Sequence, residues 1–137
     1  MTARRTIRER RTLDGVGLHL GRSCRLTFAP APPATGVVFR RVDLDGHPET
    51  RAHVEHARLS ERRTQLGDGD GALHTVEHVL AAIAGSGIDD LFIEMDAAEP
   101  PILDGSARPF LEALWSGGVV EHGGEVDVLR LTECVRV

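Results

Sequence analysis

The chain has 137 residues, enough for one ordinary domain that buries its own core. Its 41% hydrophobic and 27% charged content is that of a soluble globular protein, and a net charge of −5 argues against nucleic acid as the main partner. All the basic residues are Arg, so no lysine nucleophile or base exists, and Cys24 and Cys134 form neither a C-x-x-C motif nor a disulfide framework. The longest apolar run, Val79 to Ala84, is far short of the roughly 20 residues of a membrane helix. No apolar signal region follows the N-terminus, and the chain is expected to be cytoplasmic and not transmembrane.

In chain order, residues 4–13 predict a charged extended strand, and Asp14-Gly15-Val16-Gly17 predicts a turn. Arg22 to Ala29 alternates, with Cys24, Leu26 and Phe28 on one side, as a half-buried strand does. Val37 to Val42 predicts a third short strand. Residues 43–65 are polar and resist assignment, and Gly67 to Gly71 reads as a solvated loop rather than a calcium site. Val76, Val79, Leu80 and Ile83 give the stripe of a core-facing helix over about 75–84, ended by Gly85 and Gly87. A second helix face carries His74, His78, Ala81, Ala82 and Gly85. Leu91, Ile93 and Met95 alternate with Phe92, Glu94 and Asp96 in a strand. Ser106 is placed to cap a second helix over about 107–116, with Phe110, Leu111, Leu114 and Trp115 apolar and Gly117-Gly118 terminating it. Residues 126–137 read as a final extended run. The expected class is α+β: a two-layer sandwich of a roughly five-stranded mixed or antiparallel sheet with two helices on one face.

The candidate chemistry centres on His74-Thr75-Val76-Glu77-His78. On a helix, positions i and i+4 share a face, so two imidazoles there can grip one metal while the neighbouring carboxylate activates water. Short motifs recur by chance, and from the pentapeptide alone a partly exposed helix with two uninvolved histidines is the better reading. His53-Val54-Glu55-His56 lacks the P-C-x-x-C partner of the zinc deaminases and reads as solvated, as do His47 and His122. His19 lies among three glycines in Gly15-Val16-Gly17-Leu18-His19-Leu20-Gly21. Such a turn lines a pocket or merely closes a hairpin. Asp104 in Asp104-Gly105-Ser106 has ordinary turn and cap chemistry on local grounds.

Five blocks in order widen the match: residues 15–21, then Thr35 to Asp43, Thr75 to Ala82, Gly87-Ile88-Asp89-Asp90, and Pro101 to Ala107. Together they resemble the UDP-3-O-acyl-N-acetylglucosamine deacetylase family, over about Arg4 to Val137. The resemblance implies a zinc-dependent amide hydrolysis that releases acetate at the committed step of lipid A synthesis. It implies longer relatives built of two similar α/β domains. Residues 1–128 then correspond to the N-terminal domain, and 129–137 to a strand leading toward a second domain absent from this chain. By the same resemblance His78 is a zinc ligand, Glu77 the general base, and His19 and Asp104 line the active site. The other zinc ligands, in an H-K-x-x-D motif, belong to the second domain. His74 becomes a bystander, Leu20 replaces a usual Ser, and Glu61-Arg62-Arg63 occupies a loop near the metal that can be more apolar.

The expected partners are the UDP-3-O-acyl-N-acetylglucosamine substrate and either a second deacetylase domain or a second copy of this chain. Two other readings stand beside this one. In one, the chain is a non-catalytic domain that dimerises or binds a partner through its helical face. In the other it is a metallopeptidase using both His74 and His78.

Overall fold

The computed structural model describes residues 2–136. Its main sheet has five strands in the order β2-β3-β9-β4-β5: β2 (Arg11–Val16), β3 (Ser23–Pro30), β9 (Leu91–Met95), β4 (Val37–Arg41) and β5 (Glu49–Arg51). All neighbours are antiparallel except β4 and β9, which run parallel. The late strand β9 therefore inserts between two early ones, and the connection that carries it there contains helix α1 (Glu77–Ser86).

Alternation sets the layers. Leu26, Phe28, Phe39, Leu91, Ile93 and Met95 are fully buried on one sheet face. There they meet Val79, Ala82 and Ile83 of α1 and Phe110 and Leu114 of α2 (Arg108–Ser116) in one core. Phe28 and Phe110 meet edge to face, with ring centroids 6.4 Å apart. The opposite face is polar. Arg40 stacks over the Phe92 ring at 4.3 Å and pairs with Glu49 and Glu94, while Arg10 also pairs with Glu94. The expected α+β sandwich is what the chain forms.

Several element boundaries differ from those expected. The single strand over 4–13 is two: β1 (Ala3–Ile7) and β2, separated at Arg8-Glu9-Arg10 and lying in different sheets. Asp14, Gly15 and Val16 belong to β2, so the turn starts only at Gly17. The partner of β1 is β10 (Val119–Glu125), where the expected final strand began at residue 126. Gly123-Gly124 looks like a turn in sequence. It is instead the irregularity that shifts the register between Ala3 and Arg4, with Gly124 at φ 96° and a Cβ there meeting Arg4 Cδ at 3.0 Å. Residues 126–136 carry no regular secondary structure, and Val137 lies outside the described residues.

The unassigned stretch 43–65 holds β5, a 3-10 turn at Val54–His56 and the start of a small antiparallel sheet. That sheet comprises β6 (Ala57–Arg58), β7 (Gln65–Leu66) and β8 (Leu73–His74). His53 and Glu55 are exposed there, as expected. Trp115 is 56% exposed, off the apolar side assigned to it, and Ala82, assigned to the face of His78, is buried in the core. His122 is not a solvated residue: its ring lies 2.9 Å from the buried Asp90 carboxylate. Among the described residues no helix is long and apolar enough to cross a membrane.

Candidate active site

The pentapeptide does not form one helix. Helix α1 starts at Glu77, and His74 lies in β8, paired opposite Gln65. Between them Thr75 adopts φ 56°. A β-branched residue in that region costs on the order of 1–2 kcal/mol and persists only where its surroundings impose it. Two contacts impose it here. The His74 N–H donates to the Ala98 carbonyl at 2.8 Å, holding the chain extended. The Thr75 hydroxyl donates to Glu99 Oε1 at 2.7 Å. His74 and His78 are thus not stacked on a helical face. The two-histidine grip, and the metallopeptidase reading built on it, are corrected by that break.

Glu99 is the hub of this region, and the sequence reading passed over it. It is 2% exposed, and its carboxylate also accepts from the backbone N–H groups of His19 and Leu20, at 2.7 to 3.1 Å. Burial alone drives such a carboxyl upward. The Thr75 hydroxyl and the two N–H groups more than offset it and hold Glu99 below the usual carboxylate range. Gly17 leaves the room: a Cβ there meets Glu99 Oε2 at 2.4 Å. A Cβ on Gly15 similarly meets Pro101 Cβ at 2.7 Å. Gly15 and Gly17 are therefore explained by close approach of the 99–103 segment, which also donates from Ile102 N–H to the Val16 carbonyl, whereas Gly21 has open space and serves its φ of 63°. The available signal was a lone carboxylate in the otherwise uncharged run from Ala97 to Leu103.

Glu77 and His78 are both half-buried in the first turn of α1. Glu77 Oε2 accepts from the Thr64 N–H at 3.1 Å, so the β6–β7 hairpin anchors the carboxylate. His19 is exposed, with its backbone on Glu99. Its ring lies near enough for its charge to act on both Glu99 and His74. The Thr75–Glu99 contact thus links the loop bearing His19 to the segment just before Glu77 and His78. The exposed Asp104 carboxylate accepts from Ser106 N–H and Oγ, which hold it below its ordinary range. Ser106 Oγ in turn accepts from Arg108 N–H at the start of α2. That is turn and cap chemistry.

His78 offers one imidazole nitrogen and Glu77 one carboxylate. Among the described residues no group of three or more His, Cys, Asp or Glu is placed to hold a metal ion. A hollow of about 700 Å³ lies away from these residues, between the β4–β5 edge and the small sheet, lined by Val38, Arg51, His56, Arg58 and Phe92. Cys24 is buried and its thiol is pushed up to about 12 by that burial, which removes it as a nucleophile.

Residues 4–137 match the family model described as UDP-3-O-acyl N-acetylglycosamine deacetylase. The chain is 42% identical over 137 residues to a UDP-3-O-acyl-N-acetylglucosamine deacetylase of Thioalkalivibrio sulfidiphilus, covering 100% of this chain and 45% of that protein. It is 44% identical over 133 residues to one from Bdellovibrio bacteriovorus, covering 97% of this chain and 44% of the relative. It is also 44% identical over 131 residues to a bifunctional enzyme LpxC/FabZ of Chlorobaculum tepidum, covering 96% of this chain and 28% of that protein. The chain spans less than half the length of each of these relatives.

Proposed function

The chain belongs to the UDP-3-O-acyl N-acetylglycosamine deacetylase family, and on that premise we propose that it is the N-terminal half of a zinc-dependent UDP-3-O-acyl-N-acetylglucosamine deacetylase. The observation that carries this reading is the pair Glu77 and His78 at the start of α1, with the Glu77 carboxylate anchored on Thr64 N–H and the preceding Thr75 fixed by Glu99.

Adjacent helical residues diverge by roughly 100°, so His78 faces one direction while Glu77 reaches another. His78 is one ligand, and a catalytic zinc takes about three from protein, so the remainder come from the second domain. When bound, zinc supplies Lewis acidity toward the acetamide carbonyl and lowers the pKa of water. Glu77 takes the proton of the attacking water and is oriented for it by Thr64. His19 is held at the rim by Glu99, whose two backbone bonds fix the loop bearing it. Asp104 is assigned to the lining through its segment, not through its own carboxylate. The products are acetate and a free 2-amino sugar nucleotide. A cytoplasmic location goes with a nucleotide-sugar substrate. Residues 1–128 form the first domain, and 129–137 lead toward the second.

Zinc content and acetate release from the acylated UDP-sugar test this reading, measured for this chain with and without a second-domain polypeptide. Tight zinc and full activity in the chain alone overturn the half-site assignment.

A second reading rests on Ala81, Ala84 and Gly85, which leave an exposed stripe of small residues on α1 continuous with His78. There the chain is a non-catalytic domain that dimerises through α1. Light scattering at several concentrations tests it, and a strict monomer counts against it.

A further inference from the structure

The hollow between the β4–β5 edge and the small sheet takes no part in the deacetylase reading. Strand register explains its floor. Arg51 of β5 pairs with Val38 of β4, and Val38 pairs with Phe92 of β9, so these three side chains stand in one row on the sheet face opposite α1 and α2. Val38 is buried yet stands outside the main hydrophobic core, as a residue of that face does. Val38 and Phe92 together give the hollow an apolar floor. Its volume of about 700 Å³ falls within the roughly 300–1,000 Å³ of small-molecule sites.

The charges around that floor do not cancel. Glu49, Arg51, Arg58 and Asp68 all line the hollow. Both carboxylates are already engaged. Arg40 donates to Glu49 Oε1 from Nε and Nη2, at 2.8 and 2.7 Å. Arg58 Nε donates to both Asp68 oxygens, at 3.0 and 2.9 Å, and its Nη1 to the Glu55 and Ala57 carbonyls. Arg51 is left over: among the described residues it has neither an ion-pair partner nor a side-chain hydrogen bond, and it faces the same hollow. His56, from the turn leading into β6, also lines the hollow, and among the described residues its ring makes no hydrogen bond. A guanidinium fork suits a carboxylate or phosphate, and an imidazole donates from at least one nitrogen. Both side chains stand on backbone that is already held. Ala52 N–H donates to the Val37 carbonyl at 2.9 Å, and Gly67 N–H to the His56 carbonyl at 2.8 Å. A ligand there orders little that is not ordered already.

We propose that this hollow binds a small organic anion, with its oxyanion head on Arg51 and His56 and its apolar body on Val38 and Phe92. A carboxylate and a phosphate present the same acceptor chemistry to Arg51 and His56. The site is separate from Glu77 and His78 and stands whether or not the deacetylase assignment does.

Titration of this chain with benzoate, phenyl phosphate and benzyl alcohol, read on the Arg51 Nε, His56 ring and Val38 methyl resonances, tests it. Saturable shifts with benzoate or phenyl phosphate, but not with benzyl alcohol, are expected. Benzoate alone identifies a carboxylate ligand, phenyl phosphate alone a phosphate, and both together a site open to either head. Arg51→Gln weakens the effective probe about tenfold or more, as loss of a charge-assisted bond does. Arg51→Lys recovers part of it, and His56→Ala weakens the same probe. Arg108→Gln, on the exposed side of α2, leaves it unchanged. No saturable shift with either anion overturns the site, as does equal weakening by Arg51→Gln and Arg108→Gln. Acetate or inorganic phosphate binding as tightly as its aryl counterpart leaves the floor without a role and overturns the organic-anion assignment. Acetate release by the chain joined with its second domain is expected to be unchanged in Arg51→Gln. Its loss in that variant overturns the separation of the two sites.

Discussion

Asp90 and Glu99 are both buried carboxylates, and each is satisfied by three residues, but the partners differ in kind. Asp90 accepts a two-point contact from the Arg4 guanidinium, at 2.7 and 2.8 Å, together with Gly36 N–H and the His122 ring. Burial works against its charge, and these partners reverse it and bring Asp90 down to about 2. It ties β1 and β10 to the start of β4. Glu99 touches only neutral donors. A buried charge met by a cation is spent within the fold, whereas one met by neutral dipoles keeps its field in the region it organises. Asp90 closes the architecture, and Glu99 sets the geometry of the 17–20 loop and of Thr75.

The sharpest way to break this contrast is to remove each in turn. Asp90→Ala leaves Arg4 and His122 without their anion and is expected to cost about 3–5 kcal/mol, read by denaturant unfolding. Glu99→Ala leaves three donors unmet and is expected to cost about 2–3 kcal/mol. Its mark is local, with amide exchange rising at His19 and Leu20 before global unfolding. Equal and purely global effects from both variants contradict the division of roles.

Acid probes the same pair without mutation. The Asp90 carboxyl lies at about 2 in the fold against an ordinary 3.8. Its contribution of about 2 kcal/mol is therefore complete above about pH 4 and is lost as pH falls toward 2. Glu99 is shifted in the same direction and adds to the loss. In Asp90→Asn the Asp90 part of that acid dependence disappears.

The smallest effect expected is from Gly17→Ala. Its Cβ falls 2.4 Å from Glu99 Oε2, and displacing that oxygen is expected to cost about 1–2 kcal/mol. The loss shrinks when combined with Glu99→Ala, because the obstruction is gone.

The sheet core was legible because period-2 alternation at Leu26, Phe28, Leu91, Ile93 and Met95 has no competing explanation. Helix α1 was legible in its apolar stripe and its Gly87 cap, but it starts two residues later and continues through Gly85 to Ser86. Thr75 has nothing in its own chemistry to announce a left-handed backbone, which the distant Ala98 and Glu99 impose. The same long-range contacts hid the separation of His74 from His78. The strand over Val119–Glu125 was not legible, because Gly123-Gly124 interrupts its alternation with a bulge. Of the candidate site, Glu77, His78 and His19 came from ordered motif blocks. Glu99 was not legible because its partners, His19, Leu20 and Thr75, are distant in the chain and no local pattern announces them.

The central claim is that Glu77 is the base of a site this chain completes only with a second domain. Acetate release from the acylated UDP-sugar tests it most directly, measured for the chain, for the chain with a second-domain polypeptide, and for that pair carrying Glu77→Gln. The account predicts release only from the unmodified pair, with a fall of about 10²–10⁴-fold in Glu77→Gln. Equal release from the chain alone, or no change in Glu77→Gln, contradicts it.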